Sequence, residues 1–194
     1  MLLNKVEYDI TKMLNQLNNK LTFHSIYHTK YVVNTAKKIC DYACLSKTER
    51  EIVIISAWFH DIGYLESYLD HEYYSVRIAE NYLKEKQLDS DIINEITTCI
   101  SATKTPQKPT TFLAKIVCDA DLSHLGSTNY FYWLRLLRKE WKVYLNKTFN
   151  NYDWYTLNHR FLTTHVYHTS YGKDILSVNI KENVNKLEKL ISSK

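Results

Sequence analysis

The chain has 194 residues, with 25 Lys and Arg against 21 Asp and Glu, a formal net charge of +4. Three Gly and two Pro are too few for a turn-rich sandwich or barrel, so the long Leu/Ile/Lys/Glu/Asn segments predict an all-α fold. The basic residues interleave with acids rather than forming a tract. That pattern gives no sign of a nucleic-acid or membrane surface.

The four cysteines, Cys40, Cys44, Cys99 and Cys118, form no CxxC pair and read as reduced core thiols. "MLLNKVEYDITKML" mixes charges into its apolar positions, unlike a signal peptide. No apolar run approaches the roughly 20 residues of a membrane span. The expected setting is cytoplasmic.

In chain order, apolar residues at three- and four-residue spacings predict helices over about 3–19 and 25–44. "LSKTERE" supplies the next start: Ser46 or Thr48 leads into Glu49 and Glu51, acids that favour a helix N-terminus. That helix carries an almost unbroken apolar run, Ile52 to Phe59, and is expected to stop at Gly63 as a C-cap. Further helices are predicted over about 71–86, 89–103, 110–121, 129–147, 151–168 and 173–192. "TKTPQKP", with both prolines, is the one obvious loop. With no repeat or linker, residues 1–194 are read as one compact helical bundle.

Four positions stand out for chemistry. His28 lies early on the second helix, His60 and Asp61 end the third, and Asp121 ends the apolar run "IVCDADL". Singly, each has an ordinary explanation. A histidine near a helix start is commonly a surface or capping residue, and an Asp before a glycine-bearing turn is commonly a turn former. Acids at a helix C-terminus oppose its dipole and need compensation. Together, imidazoles and carboxylates at helix ends are also how a helical scaffold builds a metal site. Such donors suit Mn, Fe, Co, Ni or Zn, with Mg also accepted.

The ordered series His28, His60-Asp61, Asp121 resembles the H…HD…D signature of the HD superfamily of metal-dependent phosphohydrolases. "YHTKYVV", "AWFHDIGY" and "CDADLSHLG" are similar to that family's flanking words, with Phe59 where leucine is common. The likeness is spread over residues 24–126. It implies an all-α HD-type bundle, with C-terminal helices over about 129–192 packed on the motif-bearing core. It also implies that His28, His60, Asp61 and Asp121 ligate a divalent metal, one or two ions per chain. Asp61 would also orient or deprotonate the attacking water. "DHEYYS" then makes His71 a second-metal ligand or general acid and Glu72 its proton-transfer partner, while Asp70 reads equally as an N-cap. Ser75 stands where an HExxH zinc peptidase needs its second histidine, so that motif is absent.

Substrate contacts are expected from His24, four residues before His28 and so on the same helix face, from Lys104 in the proline loop, and from Arg77. His124 is read as structural. Past Gly126, aromatic-rich stretches bearing His159, Arg160, His165 and His168 form core, a lid, a substrate wall or a homodimer surface.

The function so implied is hydrolysis of a small phosphorylated metabolite, a nucleotide by preference. The alternative is a non-catalytic metal- or nucleotide-binding signalling module. A third class, an oxygen-activating di-iron enzyme, needs further histidine ligands beyond His71.

Overall fold

The computed structural model describes residues 2–193. Among them are ten α-helical segments and no strand. The chain forms two compact units. One takes the residues up to 19 together with 24–121, and the other takes 20–23 and the residues from 122 onward.

The first unit contains α1 (Leu2–Leu14), α2 (Ile26–Tyr42), α3 (Lys47–Phe59), α4 (His71–Glu85), α5 (Ser90–Ser101) and α6 (Phe112–Asp121). Its centre is α3, which packs against α1, α2, α4, α5 and α6. A helix contacted on every side needs no polar stripe. This accounts for the unbroken run: all eight residues from Ile52 to Phe59 are buried, and even Ser56 turns its hydroxyl back onto the Ile52 carbonyl, 2.8 Å away. Each large apolar side chain removed from water there contributes roughly 1.5–3 kcal/mol, so α3 is a rigid post. It starts in a capping box, with Ser46 accepting from the Glu49 amide and the Glu49 carboxylate accepting from the Ser46 amide at 2.9 Å.

Helix α1 is shorter than its apolar spacing predicts. It ends at Leu14, where Asn15, Asn18 and Asn19 begin, residues whose side chains compete for backbone hydrogen bonds. The start of α2 also departs from expectation. Ser25 is the N-cap with extended backbone (φ −125°, ψ 170°), so His24 precedes the helix rather than sharing its face with His28.

The stop after α3 differs as well. The helix ends at Phe59, and Gly63 lies inside a 3₁₀ turn, Ile62–Leu65, with no positive φ. The glycine answers a close approach instead. A Cβ at position 63 would stand 1.9 Å from the His71 carbonyl oxygen and 2.6 Å from the Ser75 amide nitrogen. The first turn of α4 therefore lies directly on the turn after α3. Ser75 fastens the two: its hydroxyl donates to the His60 carbonyl (2.7 Å) and accepts from the Gly63 amide (2.8 Å), fully buried.

The second unit contains α7 (Tyr130–Tyr144), α8 (Asn151–Thr164), the five-residue α9 (Ser170–Asp174) and α10 (Ile180–Ser192). Leu125, Tyr130, Leu134, Trp154, Leu162 and Leu187 form its core. Residues 20–23 join it through buried Glu140, which accepts from the Phe23 amide at 2.8 Å, and through Thr22, whose hydroxyl donates to the Leu136 carbonyl at 2.8 Å. The single helix expected over 173–192 is broken into α9, a 3₁₀ turn (Leu176–Asn179) and α10. The break is tertiary. A Cβ on Gly126 would meet the Leu176 carbonyl at 1.7 Å, and Asn179 and Asn183 donate to the Gly126 and Leu125 carbonyls, both at 3.0 Å.

Ser75→Ala removes one buried hydroxyl and strands two buried backbone groups. It is expected to cost about 1–3 kcal/mol, read as a lowered urea midpoint with an unchanged slope. A midpoint equal to wild type would show that Ser75 does not fasten the turn.

Candidate metal centre

Helix ends from three elements deliver four donors to one place. His28 lies in the first turn of α2, His60 occupies the C-cap of α3, Asp61 follows it, and Asp121 is the last residue of α6. Neighbouring residues on a regular helix point about 100° apart, so His60 and Asp61 need a change of backbone to face one point. His60 keeps helical angles (φ −54°, ψ −36°), whereas Asp61 moves to φ −107°, ψ 3°. That single step turns both side chains inward.

The donors lie close together. His28 Nε2 is 3.3 Å from Asp121 Oδ1 and 3.6 Å from Asp61 Oδ2. His60 Nε2 is 3.1 Å from Asp61 Oδ2 and 3.7 Å from Asp121 Oδ1. Ligands held at about 2.1 Å around one ion stand roughly 3.0–3.4 Å apart, depending on geometry. Ligand atoms of His28, His60 and Asp121 all fall within 4.8 Å of one another.

His60 Nδ1 donates to the Ala57 carbonyl at 2.8 Å, which directs Nε2 into the cluster. There His60 Nε2 and Asp61 Oδ2 are buried and near each other but not aligned for a hydrogen bond. Buried polar atoms left so are costly. A divalent cation would satisfy both, and the residues present fit one.

Without a metal, protons take that role. Burial alone would push the His60 imidazole down, but the Asp61 and Asp121 carboxylates and the Ala57 carbonyl outweigh it and raise its pKa to about 9. Burial likewise pushes the carboxyls up. The His60 and His71 imidazoles nevertheless hold Asp61 well below the ordinary range, and His28 and His60 hold Asp121 below it. The dipole-opposing acid at the end of α6 is thus compensated by histidines.

His71 reaches the cluster from the first turn of α4. Its Nε2 is 3.5 Å from Asp61 Oδ1, and its Nδ1 is 3.6 Å from Glu72 Oε2. His24 lies beside it, its ring 5.9 Å from that of His28 and 4.4 Å from that of Tyr64, on which it stacks. Lys104 and Arg77 each have a local partner. Lys104 is exposed and bonded to Asp70 at 2.7 Å, and Arg77 is exposed over the Tyr73 ring of its own helix, 5.7 Å from the centroid. Asp70 takes the N-cap position of α4 in a left-handed conformation (φ 54°), with its carboxylate turned to Lys104 rather than to the helix. His124 is buried edge-on to Phe23, with ring centroids 5.1 Å apart.

Two residues had no signal in the sequence beyond their neighbourhood. Gln107, in the proline loop, donates to Asp121 Oδ2 at 3.1 Å and leaves Oδ1 for the imidazoles. Tyr64, at the end of "HDIGY", stacks on His71 with centroids 3.9 Å apart.

Linkage fixes the pH behaviour of the metal-free protein. A raised His60 pKa contributes stability that is full below its unfolded value of about 6.5 and is lost as pH rises through about 9. The lowered carboxyls contribute stability that is present above about 3.8 and is lost as pH falls through their folded values. The melting temperature of chelated protein is therefore expected to fall between pH 6.5 and 9. The increment from added Mn²⁺ should grow over the same range, because the ion displaces the His60 proton. A flat increment would show that the ion binds elsewhere. Gln107→Ala frees one side of Asp121 and should weaken metal affinity about 10- to 100-fold, read by chelator competition. Unchanged affinity would remove Gln107 from the centre.

The chain is similar to the crystal structure of a predicted HD superfamily hydrolase from an uncultured Thermotogales bacterium, with 18% identity, a TM-score of 0.61, and coverage of 95% of this chain and 91% of that one. At that identity the likeness shows a shared fold. No curated protein matches. The HD-domain profile matches residues 25–125, more than half of the 194 and all four donors. The chain belongs to the HD-domain family, a membership that supports a metal-dependent phosphohydrolase in general.

Proposed function

We propose that the protein hydrolyses a small phosphorylated metabolite, a nucleotide by preference, at a divalent metal held by His28, His60, Asp61 and Asp121. The observation that carries this reading is the convergence of two imidazoles and two carboxylates at 3.1–3.7 Å, with His60 oriented by the Ala57 carbonyl. A divalent ion there supplies Lewis-acid polarisation of a phosphoryl oxygen and lowers the pKa of water to as little as about 7.

The remaining steps belong to the chain's own residues. Asp61 orients the attacking water and accepts its proton. His71 lies between two carboxylates, with Asp61 on its Nε2 side at 3.5 Å and Glu72 on its Nδ1 side at 3.6 Å. Distances of that length shorten when substrate closes a site. In this arrangement Glu72 orients the ring and balances its charge, and His71 protonates the leaving oxygen, a step typically worth about 10²–10⁴-fold. His24 stands next to both rings and faces the phosphate. With Lys104 bonded to Asp70 and Arg77 stacked on Tyr73, the phosphate charge falls to the metal and His24.

The test is a panel of nucleotides and a generic phosphodiester, assayed with Mn, Co, Ni and Mg. Asp61→Ala is expected to abolish both bound metal and turnover while the helical circular dichroism persists. Retained activity would sink the assignment. A wild-type protein that binds a nucleotide yet turns over no phosphoester would be the non-catalytic module instead.

A further inference from the structure

Beside the centre, three rings from three separate segments meet in a triangle. Tyr64, in the 3₁₀ turn after Asp61, contacts both His24 and His71. Its centroid is 4.4 Å from the His24 ring with planes at 27°, and 3.9 Å from the His71 ring with planes at 15°. The two histidines are 5.9 Å apart. Tyr68 closes the group, its ring 5.4 Å from that of Tyr64.

Near-parallel stacking at such separations is specific in geometry, and an aromatic pair of this kind is worth about 0.5–1.5 kcal/mol beyond the area it buries. It also fixes the plane of the imidazole, which a single long contact to a carboxylate cannot do. His71 has two such contacts, at 3.5 and 3.6 Å, and both lie at the limit of hydrogen bonding. The Tyr64 ring, 3.9 Å from His71 between centroids and 15° between planes, is the near-parallel surface against that imidazole.

The backbone supports the same conclusion. Gly63 admits the His71 carbonyl against the turn, and Ser75 bonds to the Gly63 amide. The residue that follows Gly63 is thereby held at a set height beside the first turn of α4. We infer that Tyr64 is a positioning residue. It holds His71 and His24 as a fixed pair over the metal centre, so that His71 Nε2 stays directed at Asp61 and the bond being broken. The catalytic half of this inference rests on the function proposed above, whereas the structural half does not.

The experiment separates them. Tyr64→Phe keeps the stack; Tyr64→Leu and Tyr64→Met remove it at similar volume. Each is read three ways: by the His71 ring-proton resonances, assigned with His71→Gln and shifted upfield by the Tyr64 face; by thermal melting; and by kcat and KM for a phosphoester that the wild type turns over. The expected result is loss of the upfield shift in the Leu and Met variants, with kcat reduced roughly 10- to 100-fold, a share of what a positioned proton donor contributes. KM should change little, and Tyr64→Phe should recover both the shift and the rate.

Unmoved His71 resonances in a folded Leu or Met variant would overturn the inference. So would shifted resonances with an undiminished kcat. If both non-aromatic variants unfold while Tyr64→Phe is stable, Tyr64 is a core residue and the inference is equally wrong. If the wild type turns over no phosphoester, the function fails, and the stack is still judged by the resonances.

Discussion

Everything in the first unit is arranged around one electrostatic constraint. Two carboxylates and two imidazoles are brought within 3.1–3.7 Å, with His28, His60 and Asp61 all under 5% exposed. A buried and a partly buried carboxylate beside the same two imidazoles repel each other, with little water to screen them. Positive charge must accompany them, as protons or as a metal ion. The raised His60 and the lowered Asp61 and Asp121 show how strongly the cluster asks for it. A divalent ion placed there would be held by the same field and would compete with the protons.

Burying these groups carries a desolvation cost that their mutual attraction offsets only if the geometry is held, and the surrounding structure holds it. Helix α3 does so by being buried on every side. Its end is secured by a hydroxyl rather than by a glycine cap, since Ser75 accepts from Gly63 and donates to His60. Gly63 has a different task, which is to let α4 approach close enough to set His71 beside Asp61. The same two residues therefore both close α3 and place the histidine that follows.

The helical class was legible because it rests on local pattern, few breakers and apolar spacing, whereas the four donors were legible only as an ordered set, through their likeness to the motifs of the HD superfamily. Three readings depended on neighbours that the local pattern does not encode. Gly63 resembles a C-cap in one dimension, but its reason is a carbonyl eight residues on. The helix expected over 173–192 breaks because Gly126 admits the Leu176 backbone, a contact with no trace in helical spacing. His24 seemed to share a face with His28, yet Ser25 starts the helix after it, and the two rings meet because the bend delivers His24 from outside. Gln107 and Tyr64 were invisible for the same reason. Neither has a distinctive spacing, and each matters through one partner, Asp121 or His71.

The basic residues carry the last step. Lys104 and Arg77 were natural choices for binding a phosphate, since they are cations in a loop and on a helix near the motif. Each already has a local partner, a carboxylate at 2.7 Å for one and a tyrosine face for the other. Exposed pairs of this kind hold their charges weakly and add little stability. Both therefore engage groups outside the four-donor cluster. What lies beside the cluster instead is aromatic and imidazole: His24, Tyr64, Tyr68 and His71. Under the function proposed above, such a rim would orient a bound substrate by ring faces and edges.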